Sequence, residues 1–277
     1  MKNIFKIPIR LKTNHYQDKM KMKTVILAGG LGTRLSEETA LKPKPMVEIG
    51  EMPILWHIMK IYSSYGFNDF VICCGYKGAA IKKFFADYSL EKSDITFDLS
   101  TGTIDVHEKT SEPWKVTLVD TGLDTMTGGR LKKVEKYLDD DSFFFTYGDT
   151  LTNVDVSSLL DYHKKQKKLA TVTAVQPVGR FGKFDIREGI IEKFQEKSSG
   201  DGNWVNGGFF VLEPDVIDYI QNDNTSWERE PLEKLTKEQN ISAYKHTGFY
   251  QPMDTLRDKI YLNELWESGN APWNSWK

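Results

Sequence analysis

Short apolar runs alternate along the chain with stretches in which apolar residues recur every three or four positions. Residues 25–28, 70–74, 116–119, 142–147, 170–175 and 204–211 read as strands, most of them apolar enough to be buried on both faces. Helical spacing covers 53–62, 79–88, 131–138, 156–168, 215–221, 227–239 and 256–266. Strand, helix, strand, helix is the order of a doubly wound α/β fold, so we expect a mixed, mostly parallel sheet. Two stretches break the rhythm. Residues 95–99 and 104–106 flank Thr101-Gly102-Thr103, and 183–186 and 190–194 flank Glu188-Gly189; both read as hairpins. They place small β excursions near 91–120 and 178–210. Residues 242–250 read as a further strand.

The densest candidate chemistry follows the first buried strand. Gly29, Gly30 and Gly32 fall within four residues, followed by Thr33 and Arg34, then by Lys42 and Lys44 alternating with two prolines. A glycine-rich turn at a strand's carboxyl end presents backbone N–H groups to an anion, and the cations add charge. The loop is not a P-loop, since no G-x-x-x-x-G-K-[ST] occurs. It is not a dinucleotide fingerprint either, which would need glycine where Leu35 stands. A polyphosphate remains the expectation. Thr125 and Gly128-Gly129-Arg130, ahead of a helix, are either a second anion or base contact or a plain turn. Gly148-Asp149 ends an apolar strand, where a carboxylate holds Mg²⁺ on phosphates or simply caps a turn.

Composition narrows the field. The chain has 277 residues, 39% hydrophobic and 27% charged, with a net charge of −2. Such a balance gives no general drive toward nucleic acid or anionic membrane, and no apolar run approaches a spanning helix. Residues 1–23 carry seven basic residues and one acid. We read 1–22 as a flexible N-terminal extension without a signal peptide's apolar core, and 23–277 as a single domain. Cys73 and Cys74 are adjacent, and are expected to be core thiols. His57 lies on an apolar helix face and is expected to pack there. The tryptophans of the last segment suit subunit contacts and the chain's own core equally.

The combination L-A-G-G-x-G-T-R-L with K-P-K-P-M resembles the sugar-nucleotidyltransferase signature. The longer blocks EPWKVTLVDTG, MTGGRLK, TYGD, VNGGFFV and QPMDTLRDK are similar to the glucose-1-phosphate cytidylyltransferases of that family. The resemblance implies a Rossmann-like nucleotidyltransferase fold with a small β-rich sugar-binding lobe. It implies cytidylyl transfer from CTP to glucose 1-phosphate, by in-line attack of the sugar phosphate on the α-phosphorus. The attacking phosphate is already an anion, which suits a chain without an evident Ser-His-Asp or Cys-His arrangement. By resemblance, Leu27, Ala28, Gly29, Gly30, Leu31, Gly32, Thr33 and Arg34 bind the triphosphate, with Arg34 on the departing pyrophosphate. Lys44, rather than Lys42, reaches the α-phosphate, and Thr125, Arg130 and Gly148 lie at the nucleotide. Lys197, Asn206 and Gly207 take the sugar phosphate, with Ser198 standing where the family has proline. Asp149 and Asp254 hold Mg²⁺. The same resemblance implies a homo-oligomer, a hexamer being one option. The lack of a targeting signal and the nucleotide substrate lead us to expect a cytoplasmic protein, and the charge balance to expect no nucleic-acid or membrane partner. Two alternatives stay open: the same chemistry with UTP, dTTP or ATP, and a catalytically silent nucleotide-sugar binding subunit.

Overall fold

The computed structural model describes residues 22–39, 42–177, 183–187, 190–195 and 203–276. The expectations placed on residues 1–21, on Lys197 and on Ser198 lie outside the described residues, whereas Met22, read as the end of the extension, is buried in the core just ahead of Lys23. The chain runs through β1 (Lys23–Ala28), α1 (Ser36–Thr39), β2 (Glu48–Ile49), β3 (Met52–Pro53), α2 (Ile54–Ser63), β4 (Asp69–Cys74) and α3 (Gly78–Glu91). Next come β5 (Ser93–Asp98), β6 (Thr103–Lys109), β7 (Lys115–Asp120), α4 (Thr127–Lys133), β8 (Phe143–Tyr147), β9 (Thr150–Thr152), α5 (Val156–Gln166) and β10 (Ala170–Val175). It continues with β11 (Lys183–Arg187), β12 (Ile190–Gln195), β13 (Val205–Leu212), α6 (Glu230–Lys237), β14 (Ile241–His246), β15 (Tyr250–Pro252) and α7 (Leu256–Glu267).

In a seven-stranded sheet of order β14-β10-β13-β8-β1-β4-β7, β1 lies next to the central strand β8. It pairs in parallel with β4 and β8, while β7 extends β4 and β14 extends β10, also in parallel. β13 runs antiparallel between β8 and β10, which makes the sheet mixed. β5–β6 and β11–β12 form separate two-stranded sheets. The expected fold class is the one observed.

Alternation along the strands feeds two cores. Ile26, Phe70, Ile72 and Phe144 pack under α2 and α7, whereas Val25, Leu27, Val71, Phe145 and Phe210 face Trp227, Leu131 of α4 and Leu235 of α6. Burying each such side chain contributes roughly 1.5–3 kcal/mol. Cys73 and Cys74 are free, buried thiols on opposite faces of β4, and burial raises both, Cys74 to about 11. Trp273 is fully buried and stacks on Trp266 and Phe249, so this tryptophan packs in the chain's own core. His57 is likewise packed: Trp273 Nε1 donates to its Nδ1, and its Nε2 lies 2.8 Å from the Ile49 carbonyl oxygen.

Four elements differ from the pattern reading. The helix expected over 131–138 is α4, starting at Thr127, followed by a 3-10 turn at Glu135–Tyr137. Its first turn is fixed by tertiary contacts that periodicity does not carry: Met126 N donates to Asp223 O and Gly129 N to Thr225 O. The segment 215–221 is a 3-10 helix, Pro214–Tyr219, and the helix expected from Trp227 begins at Glu230 because Trp227 is itself a core anchor. The strand expected over 242–250 ends at His246, and Tyr250–Pro252 pairs instead with β9.

Candidate functional site

Most of the residues singled out by sequence converge on one cavity of about 440 Å³ at the carboxyl ends of β1 and β8. Leu27, Ala28, Gly29, Gly30, Gly32 and Thr33 form one wall. Lys44, Gly148, Asp149 and Asp254 line its charged end, and Thr125 and Arg130 the side toward α4. Ligands of open α/β sheets sit in this position.

The charged end is built by two unlike devices. Lys44 opens a 3-10 turn, Lys44–Met46, held by Met46 N to Pro43 O and Val47 N to Lys44 O. Its Nζ lies 2.7 Å from Asp149 Oδ2 and 2.9 Å from Asp254 Oδ1. Burial opposes the ammonium charge, but the attraction of Asp149, then of Asp254, outweighs it and holds Lys44 above its ordinary value. The two aspartates meet through backbone. β9 and β15 pair Thr150 with Pro252, and Met253 N donates to Asp149 O at 2.9 Å. The Asp258 carboxylate, in a capping box with Thr255, then accepts from Asp254 N at 3.1 Å and fixes its backbone.

Glycine is required where this end closes. A Cβ on Gly148 would lie 2.5 Å from the Leu27 carbonyl oxygen, so a side chain there would push β8 away from β1. Gly32 sits at φ +65°, a left-handed turn favouring glycine.

Arg130 lines the cavity, yet its donors turn to protein. Nη1 donates to Thr121 Oγ1 and to Gly122 O, both at 2.7 Å, and Nη2 to Leu123 O at 3.0 Å. The guanidinium therefore fastens the 121–125 loop beside the end of β4. A Cβ on Gly29 or Gly75 would come within 2.3 or 2.4 Å of its Nη1, so both glycines make room for this arginine. Gly128 and Gly129 serve close approach too: a Cβ there would meet Thr225 O at 2.8 Å and Asp223 Cα at 2.6 Å. Thr125 is buried and donates to Thr121 O at 2.6 Å.

Other expected residues stand differently. Leu31 is exposed on the loop, and Arg34 belongs to the 3-10 turn Thr33–Leu35. Asn206 and Gly207 lie in β13; Asn206 reaches the cavity through Tyr147, to whose hydroxyl its Nδ2 donates at 3.2 Å. Tyr147, Met126 and Thr127 line the cavity and were not singled out by sequence. Tyr147 was detectable as the residue preceding Gly148-Asp149.

Among the described residues no group of three or more His, Cys, Asp or Glu could hold a metal on its own. Asp149 and Asp254 supply two hard carboxylates beside an open cavity, a donor set that fits Mg²⁺ shared with phosphate and water.

The nucleotidyl transferase family model matches residues 23–267. The chain belongs to the nucleotidyl transferase family. It is 60% identical to the glucose-1-phosphate cytidylyltransferase of Salmonella typhimurium, over 92% of this chain and all of that one. It is 44% identical to a probable glucose-1-phosphate cytidylyltransferase of Bacillus subtilis, again over 92% and 100%. The crystal structure of HddC from Yersinia pseudotuberculosis shares the fold, with a TM-score of 0.65 at 23% identity over 88% of this chain and 99% of that one.

Proposed function

We propose that the protein transfers a cytidylyl group from CTP to α-D-glucose 1-phosphate, giving CDP-glucose and pyrophosphate. The observation that carries this reading is the 60% identity to a glucose-1-phosphate cytidylyltransferase along that protein's whole length. The cavity is consistent with it, since one pocket joins a glycine loop, a buried lysine and two carboxylates.

In this reading the loop Leu27–Arg34 cradles the triphosphate and Arg34 steadies the departing pyrophosphate. Lys44 lies at the charged end of the cavity and holds the α-phosphate as negative charge grows there. Gly148 lets the nucleotide approach the backbone, and Thr125 packs at its side. Arg130 acts on the nucleotide by holding the 121–125 loop. Lys197 grips the sugar phosphate, while Asn206 and Gly207 face the sugar. Asp149 and Asp254 would hold Mg²⁺, which when bound neutralises phosphate oxygens. The rate enhancement comes from alignment of two anions and neutralisation of their charge, with no side-chain nucleophile.

No helix among the described residues is long and apolar enough to cross a membrane. Soluble nucleotide and sugar-phosphate substrates suit a cytoplasmic protein, and we carry the homo-oligomer of the resemblance as part of the proposal. The test is pyrophosphate release from glucose 1-phosphate with each of CTP, UTP, dTTP and ATP. We expect CTP to be used best; preference for another nucleotide refutes the cytidylyl assignment, and CTP binding without turnover refutes the enzyme.

A further inference from the structure

Glu228 sits in the turn before α6 and lies outside the cavity wall, yet its carboxylate is organised by three hydroxyls from three segments. Tyr147 donates to Oε1 at 2.8 Å. Thr127 and Ser226 donate to Oε2 at 2.6 and 2.8 Å. An exposed carboxylate is ordinarily solvated and free to reorient. Here the neighbouring residue prevents that: Trp227 is fully buried against Phe145 and Phe210, which fixes the turn.

The direction of each proton follows from the partners. The Thr127 hydroxyl accepts from Trp227 N at 2.9 Å, so its own proton goes to Glu228. A carboxylate oxygen accepts, so the Tyr147 hydroxyl donates its proton to Glu228 Oε1. Its oxygen is then left as the acceptor for Asn206 Nδ2. Asn206 in turn presents Oδ1 to Gly208 N at 2.8 Å, which fixes its amide orientation. One carboxylate therefore sets a relay through Tyr147 to Asn206, from the α4 side of the cavity to the β13 side.

We propose that Glu228 is a positioning residue for the transfer reaction, acting through Tyr147 to orient the Asn206 side of the cavity toward the sugar phosphate. This inference rests on the function proposed above. The two ends of the relay are unequally held. The α4 side keeps its ties from Met126 N to Asp223 O and from Gly129 N to Thr225 O when the carboxylate is removed. The Tyr147 hydroxyl donates to Glu228, and its orientation goes with that acceptor. Loss of Glu228 should therefore fall on the sugar side and spare the nucleotide side.

The experiment measures kcat and both KM values for wild type, Glu228→Ala, Glu228→Gln, Tyr147→Phe and the Glu228→Ala/Tyr147→Phe double variant. For Glu228→Ala we expect the KM for glucose 1-phosphate to rise about tenfold, as loss of one oriented hydrogen bond would give. The KM for CTP should stay within about twofold, the change expected when a site keeps its own contacts. Tyr147→Phe should match it, and the double variant should be no worse than either single, because both cut the same relay. Glu228→Gln leaves one acceptor oxygen for three hydroxyl donors and should restore the sugar-phosphate KM only in part, to a value between wild type and Glu228→Ala. Equal loss on both substrates, an unchanged sugar-phosphate KM, or additive single effects would overturn the positioning role. Failure of the underlying reading shows separately, in the wild type: no pyrophosphate from CTP and glucose 1-phosphate refutes that reading before any variant is compared. If the wild type uses another nucleotide, the same series is run with that nucleotide.

Discussion

Lys44 Nζ lies 2.7 Å from Asp149 Oδ2, although the two residues are 105 positions apart. Asp254 completes the group at 2.9 Å, so one ammonium stands between two carboxylates at the end of the cavity. The arrangement keeps two like charges together before any phosphate or divalent cation arrives.

Replacing Lys44 by Met should therefore act twice. Turnover should fall at least about a hundredfold, as for loss of a preorganised cation at developing charge. The folded protein should also lose on the order of 2 kcal/mol without divalent cation, because two partly buried carboxylates are left uncompensated. Mg²⁺ should then raise the Tm of the variant more than that of the wild type. Thermal unfolding with and without Mg²⁺ checks this, and equal shifts would count against it.

Arg130→Lys should behave as a loop defect. A lysine lacks the planar fork that reaches Thr121, Gly122 and Leu123 together, leaving acceptors worth about 1–3 kcal/mol each unsatisfied. We expect a lower Tm and a higher KM for CTP, with kcat less affected. Gly29→Ala should reproduce that pattern, since its Cβ would displace the same guanidinium. Steady-state kinetics and thermal unfolding on both variants test the link; a normal KM for CTP in both would break it.

His57 makes a prediction about acid. It is fully buried and accepts from Trp273 while its Nε2 faces the Ile49 carbonyl, so the neutral ring fits and a charged ring does not. Burial lowers it from 6.5 to about 4. Between those values the unfolded chain binds the extra proton and the folded one does not, so stability is complete above pH 6.5 and is lost as pH falls toward 4. The window is worth about 3 kcal/mol. Denaturant unfolding of wild type and His57→Gln across this range should show a shallower slope in the variant; parallel curves would contradict the assignment.

The order of strands and helices, and the place of the glycine loop at the cavity, were legible because each rests on local pattern. Gly29, Gly30 and Gly32 follow a buried strand, Lys44 follows in a Lys-Pro-Lys-Pro setting, and all four line the cavity. The meeting of Asp149 with Asp254 was open only to resemblance. It depends on β9 and β15, three residues each, too short to show periodicity. The hold of Arg130 on the 121–125 loop could not be read from sequence, because Gly122 and Leu123 accept through backbone carbonyls, which carry no residue type. The start of α4 was missed for a related reason: Gly128 and Gly129 look like a turn until the 223–225 backbone is seen against them. Glu228 has no motif at all, since its three hydroxyl donors are assembled by tertiary packing.

If the cavity performs cytidylyl transfer as proposed, Asp149 at its charged end is indispensable to turnover. Pyrophosphate release from CTP and glucose 1-phosphate in Mg²⁺, with wild type and Asp149→Ala measured side by side, tests this. We expect steady turnover by the wild type, and a variant that melts as a folded protein but turns over at least about a hundredfold more slowly. An inert wild type, or a variant working at the wild-type rate, would contradict it.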